Sequence, residues 1–95
     1  MMFVERIKQL REKRRLPQRK LAEALDIDSA TYCKIEKGER KAKREQVFII
    51  AQLLNADKDE LLTLWLADQL ITTIGNEKEL APQVFKIAQQ KINQK

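Results

Sequence analysis

Apolar residues recur at helical spacing along most of the chain and almost nowhere alternate with polar residues at a period of two. In the first segment Phe3, Ile7 and Leu10 fall on one face, as expected for an amphipathic helix that faces a core. Comparable patterns predict helices over about residues 2–13, 17–25, 29–37, 44–55, 58–74 and 79–93. The chain is therefore predicted to be all-α, with five helices and an additional C-terminal helix.

Residues that favour helix ends stand at the predicted boundaries. Pro17 suits the first position of the second helix, because the N–H that proline lacks would have no partner there. Asp28 is a favourable N-cap for the third helix, and Gly38 is a favourable residue just beyond its end. Asp57 and Glu60 have the spacing of a capping box at the start of the fifth helix. These residues define helix ends independently of the apolar pattern.

Length and composition narrow the class of protein. With 95 residues there is room for one domain, which we divide into residues 1–75 and a C-terminal helix within residues 76–95. No apolar run approaches the ~18–20 residues of a membrane-spanning helix, and the start of the chain lacks the apolar core of a signal peptide. The single cysteine, Cys33, excludes an intrachain disulfide, and histidine is absent. A hydrolase or a zinc protein is disfavoured, and no cofactor or metal site is predicted.

The net charge of +5 is unevenly distributed along the chain. Residues 1–45 hold 14 Lys and Arg against eight Asp and Glu, whereas residues 46–95 hold five against six. All of the excess positive charge therefore lies in the first half. This asymmetry predicts that the first half faces a polyanion and that the second half has another role.

The second and third predicted helices are joined by a turn of three residues, 26–28. Ala22 is small where the third helix must cross closely, Ile27 fills the turn, and Ile35 anchors the third helix. Short helices joined in this way are typical of a helix-turn-helix unit.

The same stretch resembles the helix-turn-helix of the lambda-repressor-like (Xre) DNA-binding proteins. The family pattern is Gln, then Leu-Ala, a turn, an apolar residue and finally Ile-Glu-x-Gly. The matching residues here are Gln18, Leu21, Ala22, Ile27, Ile35, Glu36 and Gly38. The resemblance extends over roughly residues 3–64. It implies a five-helix DNA-binding domain that regulates transcription in the prokaryotic cytoplasm, in association with the nucleoid.

The resemblance also implies a set of DNA-binding residues and one structural acid. The third helix would enter the major groove, and the residues after it would follow the phosphate backbone. The implied DNA-binding residues are Gln18, Arg19, Ser29, Ala30, Thr31, Lys34, Lys37, Arg40, Lys41 and Lys43. Lys34 would donate to guanine, whereas Ser29 and Ala30 discriminate little between bases. Glu36 would pair with a basic group inside the domain.

Two residues depart from the family pattern. Pro17 stands where the family often has a Ser or Thr cap, and Asp26 replaces the usual turn glycine. Asp tolerates the left-handed backbone conformation that such a turn requires, but at some cost in stability.

Several residues have two interpretations from sequence. The basic residues at the end of the first helix either contact flanking phosphates or are only solvated; they are Arg11, Lys13, Arg14 and Arg15. Tyr32 is expected to be partly buried with its hydroxyl at the surface, the alternative being base stacking. Cys33 is expected to be a passive thiol on the outer side of the third helix, the alternative being a redox switch at the DNA surface. Trp65 is expected to anchor the core or an interface.

The fifth predicted helix is apolar around nearly its whole circumference, so it must be buried on more than one side. The C-terminal helix either folds back to complete a monomeric core or forms a homodimer seam together with the fifth helix. The residues of this seam would be Leu66, Leu70, Ile71, Ile74, Val84 and Ile87. A dimer would present two recognition helices about one DNA turn, ~34 Å, apart.

Three classes of function compete. A sequence-specific regulator that binds double-stranded DNA agrees with the charge and the motif. A protein–protein interaction adaptor or an antitoxin-type module would instead use helices five and six. An enzyme is disfavoured because no nucleophile–base pair, phosphate-binding glycine loop or metal-ligand spacing occurs in the sequence.

Overall fold

The structure is a computed structural model that describes residues 1–94, and every regular element in this range is helical. The α-helices are α1 (Met2–Lys13), α2 (Gln18–Leu25), α3 (Ser29–Glu36), α4 (Arg44–Leu53), α5 (Lys58–Ile74) and α6 (Ala81–Asn93). A short 3₁₀ turn, Lys78–Leu80, precedes α6. The predicted all-α class, with five helices and a sixth at the C-terminus, is confirmed. None of these helices has the length and apolarity needed to cross a membrane.

The helix ends follow the predicted capping residues, with two differences. Pro17 is the N-cap of α2 and has an extended conformation, so it precedes the first helical residue instead of occupying it. Asp57 caps α5 by accepting the Asp59 N–H (2.9 Å). Glu60 does not complete the predicted capping box, because its carboxylate accepts a hydrogen bond from Arg6 of α1 (2.8 Å).

One core lies between α1, α2, α3, α4 and α5. Helix α2 packs against α3 and α4, and α5 packs against α1 and α4. The buried apolar residues are Phe3, Ile7, Leu21, Ala22, Leu25, Tyr32, Ile35, Ala42, Val47, Ile50, Ala51, Leu54 and Leu61. The apolar stripes predicted for α1 to α4 therefore face this core, although Leu10 is only half-buried. The burial of their side chains is the main source of stability.

A buried carboxylate fixes the start of α1. The two oxygens of Asp68, in α5, accept the backbone N–H groups of Met2 (3.1 Å) and Phe3 (2.9 Å). These N–H groups have no partner within α1, because the first turn of a helix leaves its donors free. Asp68 thus replaces a local N-cap and joins α5 to the N-terminus of α1.

The C-terminal arm, residues 75–94, extends away from the core. The radius of gyration of the Cα atoms is 15.3 Å, whereas about 12 Å is expected for a compact chain of this length. No residue of α6 is buried, and α6 makes no extensive contact with α1 to α5. Of the two alternatives for α6, this structure does not show the one in which α6 folds back to complete a monomeric core.

Candidate nucleic-acid interface

The α2–turn–α3 unit is held by local backbone bonds. Asp26 ends α2 in the left-handed conformation (φ +56°), as the turn was expected to require. The Ile27 N–H then donates to the Ala22 carbonyl oxygen (3.0 Å). Asp28 caps α3, and its carboxylate accepts the Thr31 N–H (2.6 Å). These bonds set the direction in which α3 leaves α2, and Ala22 lies buried at the crossing.

One side of α3 faces outward. Ser29, Ala30 and Lys34 are exposed, and Thr31 is partly exposed. The opposite side of the helix is buried through Tyr32 and Ile35. The three residues predicted to face the major groove, together with Thr31 at their edge, thus share an accessible surface, which we call the recognition face (Ser29, Ala30, Thr31 and Lys34).

A buried ion pair lies directly behind this face. The Arg11 guanidinium, in α1, donates to the Glu36 carboxylate at 2.7 Å and 3.2 Å. Arg11 also donates to the Leu16 carbonyl oxygen (2.8 Å), and Gln18 donates to the same carboxylate (3.2 Å). Both charged side chains are largely shielded, with 12% of Arg11 and 3% of Glu36 exposed. The expectation that Glu36 pairs with an internal basic group is confirmed, and the pair fixes α3 to α1 and α2.

The charge state of the pair follows from its contacts. Burial alone would raise the pKa of Glu36. The hydrogen bonds from Arg11 and Gln18, the nearby Tyr32 hydroxyl and the charge of Arg11 outweigh burial, so the pKa of Glu36 is lowered. The hydrogen bond to Glu36 likewise raises the pKa of Arg11. Both groups therefore stay charged at neutral pH.

Tyr32 differs from its prediction, because its side chain is completely buried instead of reaching the surface. Its hydroxyl finds no partner at hydrogen-bonding geometry within residues 1–94. Burial, and next the adjacent Glu36, raise the pKa of Tyr32. Base stacking is incompatible with this position as well. Cys33, by contrast, is partly exposed on α3, as expected.

The basic residues at the end of α1 have individual roles. Neither interpretation from sequence applies to Arg11: its guanidinium is buried in the ion pair with Glu36, so it is neither solvated nor accessible to a DNA phosphate. Arg14 donates to the Leu54 carbonyl oxygen at the end of α4 (3.0 Å). Lys13 and Arg15 are exposed. Sequence reasoning missed the first two roles because both partners are far from α1 along the chain.

The basic loop, residues 37–43, is anchored at both of its ends. The N–H groups of Glu39 (2.9 Å) and Arg40 (3.2 Å) donate to the Lys34 carbonyl oxygen at the end of α3. This path requires Gly38 in a left-handed conformation (φ +79°), where a side chain would be strained. At the far end, the Trp65 indole N–H donates to the Ala42 carbonyl oxygen (2.9 Å). The loop is thus held between α3 and α5.

Most of the predicted phosphate-binding cations are exposed and without a carboxylate partner. Within residues 1–94, no ion pair is formed by Lys34, Lys37, Arg40, Lys41 or Lys43. Arg19 forms only an exposed, long pair with Glu23 (3.7 Å). A cation that already forms a buried ion pair must break that pair before it can bind a phosphate. Because these cations form no ion pair or only an exposed one, the free-energy cost of freeing them is small.

The recognition face and the basic loop lie close together. Hydrogen bonds from Thr31 lower the pKa of Asp28, and the nearby charges of Lys34 and Arg40 lower it further. Lys41 instead leans on α5, where it donates to Gln69 (2.8 Å) and lies 5.3 Å from the centre of the Trp65 ring. Lys34 and Arg40 thus belong to one positively charged surface, whereas Lys41 connects that surface to α5.

The predicted dimer residues lie outside the core. Within this set, Leu66, Leu70, Ile71, Val84 and Ile87 are exposed and Ile74 is partly exposed. Leu80, Phe85 and Ile92 of the C-terminal arm are also exposed, which adds to the apolar surface. Trp65 lies at the core edge and anchors the basic loop, a role that its apolar spacing in the sequence did not reveal.

No group of acidic, cysteine or histidine side chains among residues 1–94 has the arrangement of a metal site. Two short helices, a tight turn, an outward recognition face and a buried acid beneath it define a helix-turn-helix protein.

The comparison with protein families agrees with this class. A family model described as helix-turn-helix domain matches residues 3–64, and the chain belongs to that family. The searches of curated proteins and of solved structures found no match. The family supports DNA binding and a regulatory role for this chain.

Proposed function

We propose that this chain is a sequence-specific regulator of transcription of the lambda-repressor-like (Xre) kind, which binds double-stranded DNA on a prokaryotic nucleoid. Residues 29–37 would lie in the major groove, which is wide enough to admit an α-helix. One observation carries the proposal: the exposed recognition face stands beside cations of the basic loop that have no carboxylate partner among residues 1–94.

The recognition face has few groups that discriminate between bases. Lys34 donates to guanine O6 and N7, whereas the Ser29 hydroxyl accepts or donates and the Ala30 methyl offers only apolar contact. Thr31 lies at the edge, near a phosphate or a thymine methyl. Direct readout in one half-site is therefore modest, and DNA shape and a second half-site supply the rest.

Phosphate contacts fix the orientation of α3 in the groove. The cations of the basic loop contact the DNA phosphate backbone on one side of the groove: Lys37, Arg40, Lys41 and Lys43. Arg19 contacts the phosphate backbone near the start of α2. Gln18 stays bonded to Glu36 through one N–H of its side-chain amide. The second N–H of that amide remains available for a phosphate, because an amide nitrogen carries two donors.

Binding to a second DNA half-site requires a second recognition helix, which a homodimer would supply. An isolated helix shorter than ~12–15 residues is marginal in water, and α6 has only 13 residues with no buried contact of its own. A second copy would cover the exposed apolar residues of α6 and of α5. The seam comprises Leu66, Leu70, Ile71, Ile74, Val84 and Ile87. Sedimentation that shows only monomer, with and without DNA, would contradict the dimer.

A selection from random duplexes, read by sequencing, tests the function directly. The expected result is a consensus with two symmetric half-sites. Affinity should exceed that for random DNA by ~10³ or more. Binding that is equally weak for every sequence would contradict the proposal.

Three matched lysine variants separate base readout from phosphate binding. Lys34→Ala should change the preference at one base position by ~1–3 kcal/mol, whereas Lys43→Ala should weaken all sequences alike and reduce the salt slope by about one. Lys86→Ala, on the C-terminal arm, serves as the control and should leave affinity unchanged. Equal losses from Lys34→Ala and Lys43→Ala on every sequence would refute this division of roles.

The exposed apolar surface of α5 and α6 favours one alternative function, an adaptor or antitoxin-type module that binds another protein. Such a protein would bind DNA weakly and without sequence preference. A salt titration on the selected duplex and on random DNA distinguishes the two, because only a regulator keeps its preference as salt rises.

A further inference from the structure

A cavity of about 420 Å³ opens behind the basic loop. Its walls come from three parts of the chain: the start of α1, the basic loop and the C-terminal half of α5. The lining includes Val4 from α1, Arg40 and Lys41 from the basic loop, and Trp65, Asp68 and Thr72 from α5. This volume lies within the range of small-molecule sites, roughly 300–1,000 Å³.

The lining favours a ligand that has an apolar body. Val4, Ala42 and Trp65 provide apolar lining, and Thr72 and Thr73 line the cavity as well. The Thr72 hydroxyl already donates its proton to the Asp68 carbonyl oxygen (3.0 Å), so towards a ligand it can act only as an acceptor. An apolar ligand would displace water here at little polar cost.

The charges of the cavity favour an anionic head group. Arg40 and Lys41 line it and have no carboxylate partner within residues 1–94. Asp68 also lines it, but each of its oxygens accepts a backbone N–H of α1, so its negative charge is offset by a helix N-terminus. The charges of Arg40 and Lys41 therefore make the electrostatic potential in the cavity positive.

We propose that this cavity binds a small amphipathic anion, an acidic head group on a short apolar body, and that the ligand weakens DNA binding. The second part rests on the proposed function, in which Arg40 and Lys41 bind phosphate. A ligand whose acid group pairs with these two cations removes them from the DNA. By reciprocity, bound DNA weakens the ligand to the same degree.

The binding test does not involve DNA. Trp65 is the single tryptophan of the chain and lines the cavity, so its emission reports occupancy. The probes are octanoate and octanol, which share an apolar chain and differ in charge. Octanoate should change Trp65 emission saturably, with a dissociation constant of roughly 0.1–1 mM, and octanol should bind at least about tenfold more weakly. Equal responses to both probes, or no saturation with octanoate, would overturn the site.

Two threonine variants locate the site. Thr72 and Thr63 are both exposed on α5, and each donates to the carbonyl oxygen four residues earlier. Thr72→Phe fills the cavity and should abolish the octanoate response, whereas Thr63→Phe adds the same ring outside the cavity and should leave it intact. Lys41→Gln should reduce octanoate binding severalfold without changing octanol binding. Equal behaviour of the two phenylalanine variants would place the bound probe elsewhere, for example on the C-terminal arm, and would refute the proposal.

The effect on DNA is measured separately on the selected duplex. Saturating octanoate should weaken DNA binding severalfold in the wild type and in Thr63→Phe, but not in Thr72→Phe. Saturable binding with unchanged DNA affinity would refute the coupling while the site stands. If no duplex binds at all, the proposed function fails, and the fluorescence result still decides whether the cavity is a ligand site.

Discussion

Replacing Arg11 by methionine tests the role of the buried ion pair in the helix-turn-helix. Methionine keeps most of the apolar volume of the arginine stem but removes the guanidinium that donates to Glu36 at 2.7 Å and 3.2 Å. The Glu36 carboxylate would then remain buried, with Gln18 as its one remaining hydrogen-bond donor. A buried charge without a counter-charge is strongly unfavourable.

The expected loss is large for a domain of this size. Removing one partner of a buried pair costs about 3–5 kcal/mol. Small domains have a total free energy of unfolding of about 5–15 kcal/mol. Because 1 kcal/mol lowers the melting temperature of such a domain by ~4–8 °C, Arg11→Met should melt at least ~12 °C below the wild type.

Acidification should reduce the difference between the two proteins. In the wild type the pKa of Glu36 is lowered from its ordinary value of 4.5. The ionised carboxylate therefore stabilises the folded state fully above pH 4.5, and this stabilisation is lost as the pH falls through the folded-state pKa. Without Arg11, burial raises the pKa of Glu36, and protonation then relieves the folded state. The stability difference should therefore begin to narrow above pH 4.5, as the pH falls through the raised pKa of Glu36 in the variant, and should narrow further as the wild-type carboxylate is protonated below pH 4.5.

Urea unfolding at pH 7 and at several acidic pH values, followed by circular dichroism, measures both effects. Arg6→Met is the control, since Arg6 pairs with Glu60 at a similar distance (2.8 Å) but both side chains are well exposed. An exposed pair contributes at most ~1 kcal/mol. A loss in Arg11→Met no greater than in Arg6→Met, or one that is independent of pH, would refute the reasoning.

Three further substitutions test local features by thermal melting. Ala22→Leu should overpack the buried α2–α3 crossing and cost ~1–3 kcal/mol, and unchanged melting would count against that crossing. Asp28→Ala removes the cap that accepts the Thr31 N–H and should cost ~0.5–2 kcal/mol, whereas a stable variant would show that the cap is dispensable. Asp26→Gly should stabilise by up to ~1 kcal/mol, because φ is +56° there; a loss would show that the aspartate side chain holds the turn.

The sequence predicted the helices of the domain well, because each is encoded locally. Apolar spacing placed α1 to α5, and Asp28 and Gly38 stand at the ends of α3 as their chemistry favours. The helix-turn-helix was equally accessible, since Ala22 and Ile35 are near each other in the chain and are both buried. Local signals of this kind need no knowledge of tertiary contacts.

Contacts between distant segments were not predictable in the same way. No local pattern indicates the role of Asp68, because it caps α1 across 65 residues of chain. Tyr32 was expected to keep its hydroxyl at the surface, but the contacts of α3 with α1 and α2 enclose it. The apolar pattern of α6 indicated a buried face without indicating what buries it. In each case the deciding partner lies elsewhere in the chain or outside it.

The central claim is that the recognition face and the basic loop meet DNA. Backbone amide shifts recorded while the selected duplex is added test it most directly. The account predicts that the largest changes occur at Gln18, at residues 29–34 and at residues 37–43, with smaller changes along the C-terminal arm. Changes confined to the exposed surface of α5 and α6, with residues 29–43 unperturbed, would contradict it.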